Sequence, residues 1–502
     1  MKNKVFKIFT MCFAFLIVLP CLCFLTACGC SSSDPTDEKP TEKEFVYEVS
    51  EDGKYVYFGS YAQTIKAYDV QIVSETPDEN GYYKGSDGEK YIKHTMDIAT
   101  VHEDENMPKV FSDCKLNVSS RGIVMQDGRD YYFKVEKMKW RVLYQYSDGT
   151  VFLLSDNAID SVVWQKNIAG TDGRRYYNAN EGVPADTYAN NYQYSDMRKF
   201  LNEDFYEKNF TDAQKALILT TEVDNSEKGF SPSSYSRYEC DNTFDKVFLP
   251  SYRDLKNQFY GFDELNAKNR LFVNTDYAKA KGALSLTSEF QQYEKFDYEE
   301  YLKEIYQTQL NYSPASVAQI LNKMRKTGGV FLRSPGGMDD TRYAEACIAG
   351  EVAPGVVNSV GAGVVPAIRI KLPMIKEKEY KSFGHFYKNQ DDRYMYRTEI
   401  LDGEAIDVIS NSDFALKLKT GTYLIEFGLS GINASPDYFA FEVSLCLNDQ
   451  VIEDTVMHKW GVEFDYTETS LVLQIEEEST LALKIGNSSL VEVLKLTITQ
   501  TA

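Results

Sequence analysis

Residues 414–427 read FALKLKTGTYLIEF. Apolar and polar side chains alternate on both sides of Thr420-Gly421, as expected of two half-buried strands joined at a turn. The same texture recurs at 439–445, 471–475, 481–485 and 494–498, with turn residues such as Asn448-Asp449 between the runs. Many short strands at regular spacing predict an all-β sandwich of jelly-roll type. Helix signals stop at about residue 380, just after Pro373 and the charge run Lys376-Glu377-Lys378-Glu379. A domain boundary is therefore expected near 372–382, with residues 373–502 as the sandwich.

Upstream the pattern is mixed. Short strands are expected at 45–47, 54–61, 131–135, 140–144 and 151–155, and residues 71–130 are polar and rich in turns such as DENG and QDGRD. Helices follow. Met197, Phe200, Leu201 and Phe205 share one face at helical spacing, with Ser195 as N-cap. Thr211 to Gln214 has the form of a capping box. Shorter helices are expected at 255–259 and 275–280, and the most helical stretch is 288–327, where Ser313-Pro314 opens a helix ended by Gly328-Gly329. Strands return at 330–332, 346–349 and 364–372. Strands, then helices, then strands predict an α+β domain over 45–372 rather than a parallel α/β one.

Composition narrows the function. The chain has 54 Lys+Arg against 75 Asp+Glu, a net charge of −21. Such a chain has no basic field for nucleic acid, and anionic lipid would repel it. Its aromatics are 36 Tyr, 29 Phe and 3 Trp, which suits strand-rich domains with amphipathic surfaces.

The N-terminus supplies an address. Lys2, Lys4 and Lys7 precede an apolar run from Ile8 to Leu25, interrupted by Pro20, and then comes Leu25-Thr26-Ala27-Cys28. This resembles a bacterial lipoprotein signal, which implies that residues 1–27 are removed and that the Cys28 thiol carries a diacylglycerol. The competing reading is an uncleaved transmembrane anchor, for which the run only just reaches the required length of about 17 residues. Residues 28–44 lack an apolar period and read as a disordered tether. The chain is thus expected on the outer face of a bacterial membrane, held by acyl chains rather than by its own charge. Cys30, Cys114, Cys240, Cys347 and Cys446 remain after processing, an odd and scattered set that reads best as free thiols, with a long-range disulfide left open.

Residues 57–372 resemble the bacterial domain-of-unknown-function family 6273. The landmarks are Phe58-Gly59-Ser60-Tyr61-Ala62-Gln63, the pair at 132–136 and 139–143, the helix at 195–210, Asp245 to Leu249, and Thr275 to Ala278. Phe331-Leu332-Arg333-Ser334-Pro335-Gly336 and Gly363-Val364-Val365-Pro366-Ala367 close the set, with Phe331 and Val365 where the family has tryptophan and arginine. The resemblance implies a variant of the C-type-lectin and formylglycine-generating-enzyme fold. Residues 374–502 more weakly resemble tumour-necrosis-factor and complement C1q jelly rolls, through 421–427, 445–449 and 494–498. Such modules often trimerise, so this resemblance implies a homotrimer through the C-terminal domain.

Chemical motifs are scarce. His94, His102, His385 and His458 make no HExxH or paired metal spacing, and Glu103-Asp104-Glu105 and Asp339-Asp340 lack the spacing of a calcium loop. There is no phosphate loop and no GxSxG elbow. Formylglycine-generating enzymes use a cysteine pair, whereas Cys347 stands alone late in the domain with Cys240 far upstream. No metal or cofactor is expected. The leading reading is a non-catalytic surface lipoprotein that binds an extracellular glycan or protein; the alternative is an envelope-directed enzyme on a formylglycine-generating-enzyme-like fold. Binding residues sit most often on loops over a rigid scaffold, and the candidates are Trp164, Tyr188, Asn190, Tyr192, Arg333 and Asp339. Trp164 leads, because its neighbours Gln165, Lys166 and Asn167 are polar, although it can also be an anchor that pins its loop. Arg333 has two roles open to it: binding a carboxylate or sugar hydroxyls, or tying down loops through carbonyls. The second is favoured.

Overall fold

The first half of the chain is organised around one long strand, Asp130–Gln145. The sequence suggests two strands here, at 131–135 and 140–144, but they are one continuous strand that exchanges partners along its length. Tyr55–Ile65 pairs antiparallel along one edge, with Ile65 opposite Phe133 and Val56 opposite Trp140. On the other edge, Lys90–Thr95 pairs with the beginning of the long strand and Thr150–Ser155 with its end. Ala367–Lys371 then adds beside Thr150–Ser155, so residues far apart in sequence complete one seven-stranded sheet. Gly59 makes the register shift in Tyr55–Ile65 feasible. Its φ is +69°, and a Cβ there would lie 2.5 Å from Met138 and 2.6 Å from Phe210.

The structure, a computed structural model, describes residues 45–96, 119–170, 174–262, 267–283, 328–337, 339–348, 350–359, 361–373, 375, 380–388, 396–410, 414–433, 440–460, 463–486 and 489–501. The expected signal peptide, Cys28, Cys30, Cys114, His102, the 103–105 acid cluster, the 288–327 helix and the 376–379 charge run lie outside them. Val46–Ala502 forms one compact unit. Among the described residues, no helix is long and apolar enough to cross a membrane.

A second, four-stranded sheet runs Glu351–Val356, Tyr343–Ile348, Gly329–Pro335 and Ala362–Gly363. Both sheets pack on the helical run 196–209 through Met197, Leu201 and Phe205. Ser195 caps it by accepting from the Arg198 amide, and Thr211 and Gln214 form the reciprocal capping box. The middle of the run, Phe200–Phe205, is π-helical, a local widening that spacing alone does not announce. The turn-rich stretch 71–130 also contributes the strands Tyr83–Lys84 and Lys90–Thr95. Among the described residues the chain is mainly β, built from several antiparallel sheets.

Residues 382–500 form two sheets around a single core. One has the order Arg397–Asp402, Ser382–Lys388, Ser489–Gln500, Gly421–Asn433 and Glu463–Ile475. The other contains Ile406–Ser410, Ala415–Leu418, Ser479–Ile485 and Ala440–Leu447, with Gln450–Val451 and Met457–Trp460 beside the last. Tyr423, Ile425, Phe427 and Leu429 alternate into the core, opposite Leu416, Leu418, Leu481 and Leu483 from the other sheet. Glu426 and Lys495 point out. The strand period of two therefore places every second side chain between the sheets.

The sandwich touches the first half along a seam. Phe259 packs against Phe383 and His385 at 5.5 and 4.6 Å. Asn257 donates to the Glu399 carbonyl, and the Ser147 amide donates to Asp402.

Candidate functional site

A polar cavity of about 380 Å³ opens beside this seam. Its walls come from both parts of the chain. Arg333 lies on the strand Gly329–Pro335, Arg369 on Ala367–Lys371, and Tyr396 just ahead of the sandwich strand Arg397–Asp402. Tyr260, Thr221 and Asp254 complete the inner lining.

Arg333 is tied on one side and open on the other. Its Nη1 donates to Asp254 Oδ2 at 2.7 Å and to the Leu249 carbonyl at 2.9 Å. Asp254 also accepts from the amide and hydroxyl of Ser251. Burial alone raises the Asp254 carboxyl, but the Arg333 charge and the Ser251 hydrogen bonds outweigh it and hold the pKa below the usual carboxylate range. The pair is therefore ionised at neutral pH. The next residue, Ser334, accepts from the Tyr252 amide and donates to the Gly229 carbonyl. The Arg333-Ser334 block thus ties the loops at 229 and 249–254 to one strand.

Arg369 stands directly opposite Phe152 across the strand pair. Its guanidinium lies over Phe152 at 5.2 Å and Tyr146 at 5.3 Å, an arrangement in which ring faces attract the cation. Phe152 in turn stacks on Phe248 and meets Tyr260 edge-on. No carboxylate among the described residues pairs with Arg369. The Nε atoms of Arg333 and Arg369, the Thr221 Oγ1 and the Tyr396 hydroxyl are all buried without a hydrogen-bond partner. Tyr396 packs edge-on against Phe414, and burial raises its pKa, so the hydroxyl keeps its proton. Buried polar groups are normally paired, and here four unpaired ones line a single cavity.

Only Arg333 of the sequence candidates lines this cavity. Trp164 is corrected from a surface ring to a core residue: it is fully buried, its indole N–H donates to the Leu332 carbonyl at 3.2 Å, and the Met197 amide donates to its own carbonyl. Its polar neighbour Gln165 is equally buried, and exchanges hydrogen bonds with Asn178. Tyr192 is also buried, its hydroxyl accepting from the Leu249 amide, and buried Asn190 donates to the Tyr343 carbonyl. Neither presents a loop surface. Tyr188 and Asp339 belong to a separate cluster, in which they are linked through Tyr238 and Arg237. Tyr188 lies between Tyr177 and Tyr238, while Asp339 pairs with Arg237, whose guanidinium covers Tyr235 and Tyr238.

Arg369 and Tyr396 escaped the sequence reading. Arg369 left one trace, a charge set between Ile368 and Ile370 in an otherwise apolar strand. Tyr396 left none, because its neighbours in the cavity are distant in sequence.

Among the described cysteines, Cys240, Cys347 and Cys446 form no disulfide. Burial pushes Cys347 up to about 12 and Cys240 up to about 11, so both are protonated at neutral pH. Among the described residues no group of three or more His, Cys, Asp or Glu is placed to hold a metal.

Comparison with solved structures finds distant likenesses to tumour-necrosis-factor-type jelly rolls. Rabbit GITRL is 14% identical over 24% of this chain and 94% of its own, with a TM-score of 0.19. Murine APRIL is 12% identical over 24% of this chain and 98% of its own, with a TM-score of 0.16. Eiger TNF from S. frugiperda is 9% identical over 25% of this chain and 94% of its own, with a TM-score of 0.18. No curated protein matches the chain. Residues 148–372 match the family described as "Domain of unknown function (DUF6273)", a shorter span than the 57–372 read from the sequence landmarks. The strands before residue 148 nevertheless belong to the same sheet as Thr150–Ser155 and Ala367–Lys371. All three cavity arginines, Arg253, Arg333 and Arg369, fall inside the matched span, and the chain carries a DUF6273 domain at residues 148–372.

Proposed function

We propose that this chain is a lipid-anchored, non-catalytic glycan-binding protein on the outer face of a bacterial membrane. In this reading the part before residue 373 is lectin-like, Cys28 carries the lipid, and the sandwich is a jelly-roll module that assembles as a homotrimer. The observation that supports binding is the cavity beside the seam, where unpaired N–H and O–H groups stand next to aromatic rings. Sugars present hydroxyls that both donate and accept, and C–H faces that pack on rings, so they satisfy such a lining. A volume of about 380 Å³ falls in the range of small-ligand pockets. The half-buried Cys240 and the buried Cys347 are both protonated, so neither offers a thiolate to the envelope-enzyme alternative.

The test is binding of the mature chain to an oligosaccharide panel by calorimetry, with Tyr260→Ala as the site variant. Binding should be lost in Tyr260→Ala when measured below that variant's own melting transition, which falls because the ring also packs edge-on against Phe152. Absence of binding to every oligosaccharide, or unchanged binding in the variant, would refute the proposal.

A further inference from the structure

We infer that the ligand of this cavity is acidic: a saccharide unit bearing a single carboxylate, which takes its charge complement from Arg369 and hydrogen bonds from Arg333 Nε and Tyr396. This rests on the glycan-binding reading and narrows it to one class.

Among the half-buried residues that line the cavity, Arg253, Arg333 and Arg369 stand against Asp254 and Glu399, an excess of one positive charge. Arg333 is neutralised by Asp254 at 2.7 Å. Arg369 has aromatic faces against it and no acidic partner among the described residues, which leaves one uncompensated cation. A half-buried cation without a counter-ion is costly, and a bound anion of charge −1 would offset it. The lining of the same cavity also carries free donors. The Arg333 side chain is only 10% exposed and its Nε has no partner. Tyr396 is 3% exposed and its hydroxyl has none either. An Arg Nε–H can only donate, so the ligand atom that meets it is an acceptor.

The rim selects against denser charge. Glu222, Asp224 and Lys228 line the cavity and are exposed, a net charge of −1. Glu222 accepts from Asn242 and Asp224 from the Ser226 amide, so both are held in place. With the whole chain at −21, a phosphate monoester near −2 would overfill one cation and meet repulsion on entry. A uronic-acid unit, with one carboxylate on a hydroxyl-rich ring, matches the count.

The experiment titrates the mature chain with uronic-acid oligosaccharides, with the same oligosaccharides after reduction of their carboxyls, and with sugar phosphates of equal length. The acidic set should bind at least tenfold more tightly than the reduced set. That preference should vanish in Arg369→Gln and survive in Arg369→Lys. If Arg369→Gln melts early, Tyr396→Phe, which removes one oxygen, should still weaken the acidic set several-fold. Equal binding of acidic and reduced sets would overturn the acidic assignment and leave glycan binding standing. Preference for sugar phosphates would overturn the carboxylate. Binding of none would overturn both this inference and the reading beneath it.

Discussion

Replacing Trp164 by alanine should destabilise the protein by about 4 kcal/mol. The indole is fully buried in the core that joins the helical run 196–209 to the strand Gly329–Pro335. A buried aromatic ring removes roughly 200 Å² from water, worth about 5 kcal/mol at about 25 cal/mol per Å². A denatured chain that already hides part of that area brings the figure down to about 3–4 kcal/mol. The lost N–H donor to the Leu332 carbonyl adds about 1 kcal/mol, because the acceptor stays buried. The sum lies inside the range of about 3–5 kcal/mol seen for Phe or Trp to Ala in cores. Differential scanning calorimetry should show the melting temperature falling by about 10 °C, at about 2–4 °C per kcal/mol for a domain of roughly 150–250 residues. Trp164→Phe keeps most of the volume and should cost about 1–2 kcal/mol, chiefly through the missing hydrogen bond. An alanine variant that melts within about 2 °C of wild type would refute the burial argument, since a surface ring contributes little to stability.

Other expectations follow from single groups. Glu345 is 3% exposed, and burial lifts its pKa from the usual 4.5 to about 7, with Ser231 offsetting part of the rise. A raised carboxyl stabilises the fold fully below pH 4.5 and loses that contribution as pH climbs to about 7. Glu345→Gln should therefore gain about 3 kcal/mol on wild type between pH 4 and pH 8, since each tenfold change in proton affinity is worth about 1.4 kcal/mol; parallel stability–pH curves would count against the buried charge. Cys28→Ala should release the protein from membranes and leave the precursor with its signal attached, as read by fractionation and intact mass; retention at mature mass would remove the lipid-anchor reading. Limited proteolysis should cut within 373–379 and leave two folded pieces that stay associated through Phe259 and Phe383; loss of all structure in either piece would show that the boundary is misplaced. Thr211→Ala removes the hydroxyl half of a capping box and keeps the Thr211 amide on the Gln214 side chain, and should cost about 1 kcal/mol by calorimetry; no change would mean that the helix start is held without the hydroxyl.

Local chemistry was legible in the sequence where it acts over a few residues. Alternation at 414–427 placed Leu416, Leu418, Tyr423, Ile425 and Phe427 in the core, because a strand turns every second side chain to the same face. Ser195, Thr211 and Thr275 cap helices as their side-chain chemistry dictates. Trp164 shows where such reading ends. Its polar neighbours suggested water, yet Gln165 is buried and satisfied by Asn178, and a polar group paired inside the protein looks the same in sequence as one paired with solvent. The cavity lay further out of reach. Arg333, Arg369 and Tyr396 have nothing in common along the chain; sheet closure by Ala367–Lys371 and the docking of the sandwich bring them together. Which donors remain unpaired after that closure depends on where every neighbouring acceptor lies, and this is decided only when the tertiary structure has formed.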